Sequence, residues 1–412
     1  MRKIIYCIGT LFLMVFALSS GSCTKDSGGL VIPTPPGGNT PGPGNPDTPT
    51  PPDPSEDAIL CTDIGQTPVV LAYYTENSSA LPDATLLTHI NYAHGRFVDP
   101  DNGDGGIWID KPELMKEVIK LKKTNPKLKV LLMVGGWGIK ADGFSQMAMS
   151  AEKRTKFCKS LKKHMDDYGL DGVDIDWEYP TYSAEGTGAD PSDKANFNLV
   201  LKELRETLGT SKIISFASSA SAGYVDWPTA IKYIDYVNVM TYDMGHAPNG
   251  HNSPLYRSGI FAHRSCDESI RAHEEAGIPR SRMNLGVPFY GKSEKETDPA
   301  KRKTELVYKY TVNYYEMASV LDGTYQYKNY PKSAGYNYRK WDPIAMVPYL
   351  TDASGNIMLS YDDPESVGYK GKFAIAQKLL GAMFWEYRLD DDNHSLLKAL
   401  VNAMYGKESV ME

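Results

Sequence analysis

The stretch "DGVDIDWEYP", residues 171–180, sets four carboxylates into eight positions, with Val173, Ile175 and Trp177 between them. Like charges this close repel, and burying them strips away their hydration. The alternation has the period of a strand. Asp174, Asp176 and Glu178 therefore share one face, successive members about 6.6 Å apart, and the apolar residues take the other. Asp171 falls with the apolar set and reads as structural. A calcium loop would place oxygen ligands on a tight, glycine-kinked turn. A solvated edge strand would not carry Val, Ile and Trp on its reverse face. The pattern predicts a strand whose apolar back packs on helices and whose acidic front lines a cleft.

Other apolar runs extend that picture. Strands are expected at 68–74, 87–94, 129–137, 171–179, 212–219, 236–243, 283–291 and 381–387. Helical periodicity fills several gaps, at 111–125, 151–169 and 194–209, the last closed by Gly209. Eight strands alternating with helices point to an α/β protein, a (β/α)8 TIM barrel. Between the seventh and eighth strands lie about ninety residues, with ten tyrosines and Trp341 in 305–350. A small α+β insertion at 293–358 is expected there, between strand 7 and helix 7, walling one side of the mouth. "DPDNGDGGIWID" (99–110) lacks the EF-hand spacing and is expected to be a flexible turn.

In a barrel, catalytic groups sit at the carboxyl ends of the strands. Crowded carboxylates cannot all ionise at neutral pH, so one proton is shared and an acid is kept protonated. Such a group can protonate a leaving oxygen. Glu178, last in the row, is the candidate.

"DGVDIDWE" resembles the DxxDxDxE signature of glycoside hydrolase family 18, the chitinases and related endo-β-N-acetylglucosaminidases. "GGWG" (135–138), "MTYD" (240–243), "LGVPFYG" (285–291) and "GAMFWEY" (381–387) are similar to the family's motifs on strands three, six, seven and eight. "WDPIAMVPYL" and "SYDDPESVGYK" resemble the end of the chitinase insertion domain. The likeness runs over about 65–400. It implies hydrolysis of β-1,4-linked N-acetylglucosamine polymers or oligomers with retention, assisted by the substrate's own acetamido group. Glu178 would be the acid, Asp176 would orient the acetamido group, Asp174 would share its proton, and Tyr242 would bond the acetamido carbonyl. Asp243, Met240, Tyr179 and Tyr290 would contact sugar, and Trp385 would floor the cleft. Plainer alternatives stand beside these roles: Tyr242 and Asp243 as strand caps, Trp385 as core packing, Trp137 as platform or wall. Met133 stands where the family often has serine, which puts the surroundings of Asp174 in question.

The amino terminus has a different job. Met1-Arg2-Lys3, an apolar run to Leu18 and small residues before Cys23 have the order of a secretory signal (1–22), and the small residues ahead of the cysteine resemble a bacterial lipobox. Ten prolines between Pro33 and Pro54 make residues 23–58 an extended tether from a lipidated Cys23, leading into a barrel at 59–408. This predicts anchoring at the cell envelope, on the periplasmic or surface face of the outer membrane. Cys61, Cys158 and Cys266 are expected to be buried free thiols.

A net charge of −7 offers no basic surface for nucleic acid. No HExxH, paired cysteines or glycine-rich loop calls for a metal or nucleotide, so no cofactor is expected, and a monomer is. With no stretch left for a separate carbohydrate-binding module, soluble oligosaccharides are favoured over crystalline polymer. Two alternatives to a chitinase remain: an endo-β-N-acetylglucosaminidase acting on N-glycans, and a non-catalytic glycan-binding surface lectin on the same fold. Glu178 speaks against the lectin.

Overall fold

In the computed structural model, which describes residues 58–183, 188–295, 309–322, 338–351 and 354–411, the apolar runs build a closed parallel barrel. Its strands begin with β1 (Val69–Thr75), β2 (His89–Phe97), then β4 (Lys129–Gly136) and β5 (Gly172–Trp177), with a short β3 (Ile107–Ile109) beside them. They continue with β6 (Ile213–Ser218), β7 (Tyr236–Val239), β8 (Met283–Pro288) and β14 (Gly381–Trp385). The order around the barrel is β1-β14-β8-β7-β6-β5-β4-β2, and β1 pairs with β2 to close it. The leader at 1–22 and nearly all of the tether at 23–58, Cys23 included, lie outside the described residues.

Helices wrap the barrel: α1 (Pro112–Lys120), α2 (Phe144–Met149), α3 (Ala151–Tyr168), α4 (Asp193–Leu208), α5 (Trp227–Ala230) and α6 (Cys266–Glu275). Their ends follow local chemistry. The Ser150 hydroxyl accepts from the Lys153 N–H to start α3, and Gly169 at φ 70° ends it. Ser265 and Glu268 form a capping box on α6. The apolar back of β5 packs as its alternation requires. Trp177 stacks on Phe144 at 5.3 Å and meets the edge of Phe197 at 5.6 Å, one ring from α2 and one from α4.

Three sequence expectations are corrected at strand ends. The run 236–243 leaves the sheet after Val239: the Thr241 hydroxyl bonds the Gly286 carbonyl at 2.5 Å, and Asp243 turns at φ 58°. The run 171–179 stops at Trp177, so Glu178 and Tyr179 stand just beyond the strand. The run 283–291 is two strands, because Pro288 has no N–H to continue the ladder. Within 99–110 the expected turn runs to Gly106, and Ile107–Ile109 then close a hairpin with β2. Asp99 and Asp104 side chains accept backbone N–H groups of Asn102 and Gly106, and β3 returns antiparallel to β2 with Ile107 and Ile109 buried.

The insertion begins one residue after the break. Strands β9 (Tyr290–Lys295), β10 (Lys309–Asn313), β11 (Tyr338–Asp342), β12 (Val347–Thr351) and β13 (Ile357–Ser360) form an antiparallel sheet in the order β10-β9-β13-β12-β11. With α7 (Tyr314–Asp322) this is an α+β unit, and its sheet reaches from Tyr290 to Ser360, slightly wider than 293–358. The chain returns through α8 (Pro364–Ala376) and ends in α9 (Ser395–Tyr405). Buried polar pairs join insertion and barrel. His251 bonds Asp342 at 3.1 Å and Ser360 at 3.2 Å. Lys370 on α8 reaches both Asp362 oxygens and the Ser253 hydroxyl, each at 2.7 Å. Cys61, Cys158 and Cys266 are free thiols; Cys61 is only half-buried, the other two buried.

Lys370 and Asp362 are both without solvent contact, so removing one strands the other charge. Lys370→Met is expected to cost about 3–5 kcal/mol in a denaturant titration, and the double change Lys370→Met/Asp362→Leu to recover most of it. A single-variant loss below about 1 kcal/mol would count against the pair as a lock.

Candidate active site

The acid row climbs the barrel between β4 and β6. Asp174 pairs in register with Met133 on one side and Ser215 on the other, and is fully buried. Three donors hold it: Tyr73 OH at 2.8 Å, Ser215 Oγ at 2.5 Å and Asn238 Nδ2 at 3.0 Å. Burial pushes its carboxyl up to about 6, and these donors limit the rise. The question raised by Met133 is thereby answered: polar partners arrive from β1, β6 and β7 instead of β4.

Asp176 is the next rung and stands against a bare stretch of β4. A side chain at Gly135, which sits at φ 104°, would come within 2.1 Å of the Asp176 carbonyl, so glycine alone permits this approach. Asp176 is 3% exposed, and its Oδ1 accepts no hydrogen bond from the described residues. Burial, then Glu178 and Asp174, hold its carboxyl well above the ordinary range. Glu178 is part-buried at the mouth. Burial and the Asp243 charge raise it to about 7, against the opposing pull of Tyr179 and Lys140. Two neighbouring carboxyls that each resist ionisation share protons as a pair.

The facing wall comes from the end of β7 and the start of the insertion. Met240 and Tyr242 are buried, and the Tyr242 ring meets Tyr290 edge-on at 5.9 Å. Tyr290 OH donates to Asp243 Oδ1 at 2.9 Å, and Lys292 lies 3.1 Å from the same oxygen. Asn252 fixes the loop by accepting from the Asp243 N–H at 3.0 Å and donating to the Tyr290 carbonyl at 3.2 Å. Trp385, at the end of β14, lies 5.5 Å from Tyr73 and 6.4 Å from His94. On the outer lip Trp137 is 48% exposed and stands 6.4 Å from Tyr179, which stacks on Tyr224 at 4.6 Å.

Asp174, Asp176, Glu178, Met240, Tyr242, Asp243, Tyr290 and Trp385 thus meet at one end of the barrel, with Trp137 and Tyr179 on its lip; Cys23 lies outside the described residues. Sequence reasoning missed Tyr73, Ser215 and Asn238. Their signal was a polar residue at inward parity on an otherwise apolar strand. It also missed Lys292, His94 and Lys140, which no local pattern marks. Among the described residues Glu76, His94 and Asp110 bring ligand-type atoms within 4.8 Å of one another. Arg96 already bonds Asp110 at 2.5 Å and Glu76 at 3.5 Å, so a guanidinium supplies the positive charge there.

A carboxyl pair that resists ionisation at the carboxyl end of a (β/α)8 barrel, faced by aromatic and polar walls, is an arrangement suited to acid–base chemistry. The family follows from comparison: residues 69–390 match the glycosyl hydrolases family 18 model, and the chain belongs to that family. It is 32% identical over 410 residues to Chitinase A1 of Niallia circulans, covering 82% of this chain and 58% of that protein. It therefore spans little more than half the length of that relative. Chitotriosidase-1 of Mus musculus is 30% identical over 355 residues, covering 77% of this chain and 71% of the mouse protein. A solved family 18 N-acetylglucosaminidase from Paenibacillus barengoltzii superposes with a TM-score of 0.68 at 32% identity, over 81% of this chain and 99% of its own.

The raised Glu178 has a consequence for stability. Its folded value lies above the ordinary 4.5, at about 7, so the folded state favours the protonated form. That contribution is full below the unfolded value and is lost as pH rises through about 7. Glu178→Gln, which cannot ionise, should melt close to wild type at pH 4 and above it by roughly 2 °C at pH 8. A gap independent of pH in a calorimetric series would refute the assignment.

Proposed function

We propose that the protein hydrolyses β-1,4 links between N-acetylglucosamine units, as a chitinase working by substrate-assisted retention. The observation that carries this reading is the contrast along the row. Asp174 has three donors, whereas Asp176 Oδ1 is buried beside it with no partner among the described residues. An unpaired buried acceptor is costly unless a ligand donor meets it, and the acetamido N–H of a bound sugar is such a donor. Glu178, holding a proton to about pH 7, protonates the glycosidic oxygen. As that bond breaks, the acetamido carbonyl oxygen bonds to its own anomeric carbon, closing an oxazolinium ring, while Asp176 accepts the N–H and offsets the positive charge. Tyr242 directs its hydroxyl to the acetamido group and Trp385 supports the sugar face. Water then gives a proton to Glu178 and opens the ring from the face that the leaving group left, so configuration is retained. Asp243, Met240, Tyr179, Tyr290 and Trp137 complete the sugar-binding walls. The names of the two curated relatives support this substrate class.

One relative favours a variant of the reading. The solved N-acetylglucosaminidase is as similar in sequence as Chitinase A1, so release of single sugars is the second reading. We also place the protein, as a monomer, at the cell envelope through a lipid on Cys23. The basic, apolar and small-residue order of residues 1–22 and the proline-rich stretch after it support that location.

Mass spectrometry of digests of N-acetylchitohexaose is the test. Dimers and trimers are expected from wild type, single N-acetylglucosamine from the second reading. Glu178→Gln should lower kcat by about 10²–10⁴-fold, and wild-type kcat/KM should fall above pH about 7 as Glu178 loses its proton. Release of N-glycan from a high-mannose glycoprotein, with the hexamer intact, would move the protein to the endoglycosidases; binding without turnover would make it a lectin.

A further inference from the structure

Lys140 has no part in the steps above, yet it stands at the end of β4, the strand next to the acid row. It lies in the turn Gly138–Ala141 that follows β4. A side-chain carbon on Gly136 would sit 3.3 Å from Lys140 Cδ. Gly136 is the register partner of Trp177, and Gly135 that of Asp176, so the lysine stem lies over the end of β4, the strand paired with the Asp176–Trp177 end of β5. A lysine has a long, flexible stem, and holding it in one place needs a tether.

The tether is visible. Lys140 Nζ lies 3.1 Å from His94 Nε2. An ammonium only donates, so Nε2 accepts and His94 carries its proton on Nδ1. That proton is given to Glu76 Oε2 at 2.9 Å. His94 is 1% exposed, and burial keeps it neutral. Burial alone would raise Glu76; the His94 hydrogen bond overrides it and brings Glu76 down to about 2, so this end of the chain is anionic. Arg96 steadies Glu76 from β2. Glu386 after β14 and Asp110 after β3 also face the ammonium, and burial and Arg96 act against its charge. Across the cleft Asp243 faces Glu178, and Lys292 balances it. Among the described residues Lys140 is a cation that favours ionisation of both Asp176 and Glu178.

We infer that Lys140, held by His94 and Glu76, is a positioning residue that sets how the Asp176–Glu178 pair holds its shared proton. It touches neither leaving group nor nucleophile in this scheme; its fixed charge makes room for one negative charge in a buried pair that otherwise resists any. The inference rests on Glu178 being the acid.

The test is kcat/KM against pH on a soluble N-acetylchitooligosaccharide for wild type, Lys140→Met, Lys140→Arg and His94→Phe. Without the cation both carboxyls are harder to ionise, so Lys140→Met should move both limbs of the profile up by about half to one pH unit. Lys140→Arg should keep the wild-type limbs, and His94→Phe should shift them partway. Equal loss of rate at every pH with unmoved limbs would show a merely structural role and overturn the inference. Difference infrared titration of the carboxyl band that disappears in Glu178→Gln gives a second readout free of turnover. If wild type hydrolyses nothing, the chitinase reading falls; a band shifted upward in Lys140→Met still supports the lysine's role, and an unshifted band refutes it.

Discussion

Everything at the mouth of this barrel depends on keeping carboxylates dry. Three acids on one strand edge resist ionisation because water is excluded, and the fold manages each in a different way. Asp174 is surrounded by hydroxyl and amide donors from three other strands. Asp176 receives none at Oδ1 from the described residues, and burial, then its neighbours Glu178 and Asp174, hold its carboxyl well above the ordinary range. Glu178, past the end of the strand, reaches the solvent edge where a substrate oxygen can meet it. A single physical cost, desolvation, is thus graded along about 13 Å of backbone into a buffer, an acceptor and an acid.

The sequence carried this gradient further than it carried the surroundings. Period-two alternation in 171–178 is a local signal, and it placed Asp174 and Asp176 on a common inward face and Trp177 against α2 and α4. The partners of Asp174 were invisible to it because Tyr73, Ser215 and Asn238 are 101, 41 and 64 residues away in sequence. Their meeting is a property of barrel closure. The ends of the strands were also illegible. "MTYD" is as apolar and β-branched as a strand, but the Thr241 hydroxyl and Asn252 draw its backbone out of the sheet. The motif's resemblance to family members supplied what periodicity alone could not: that Tyr242 and Asp243 belong at the site.

Charge at the site is balanced in pairs drawn from separate elements. Asp243 after β7 meets Lys292 of β9, and Lys140, in the turn after β4, adds a positive charge near the acid row of β5. Each lysine is itself restrained by a neighbour, so the cleft presents fixed charges and not a screened average. The Arg96 bridge between Glu76 and Asp110 extends the same principle to the rim, where a guanidinium holds a cluster that would otherwise invite a cation.

The junction at Phe289 is the feature with the widest reach. The barrel's β8 ends at Pro288 and the insertion's β9 starts at Tyr290. There is no linker between them. Tyr290 and Lys292 are consequently residues of the appended sheet and of the cleft at the same time. Replacing this module would replace the counter-charge of Asp243 along with the wall. A lineage cannot widen its cleft by discarding the module without also rewiring the polarity of its own active site.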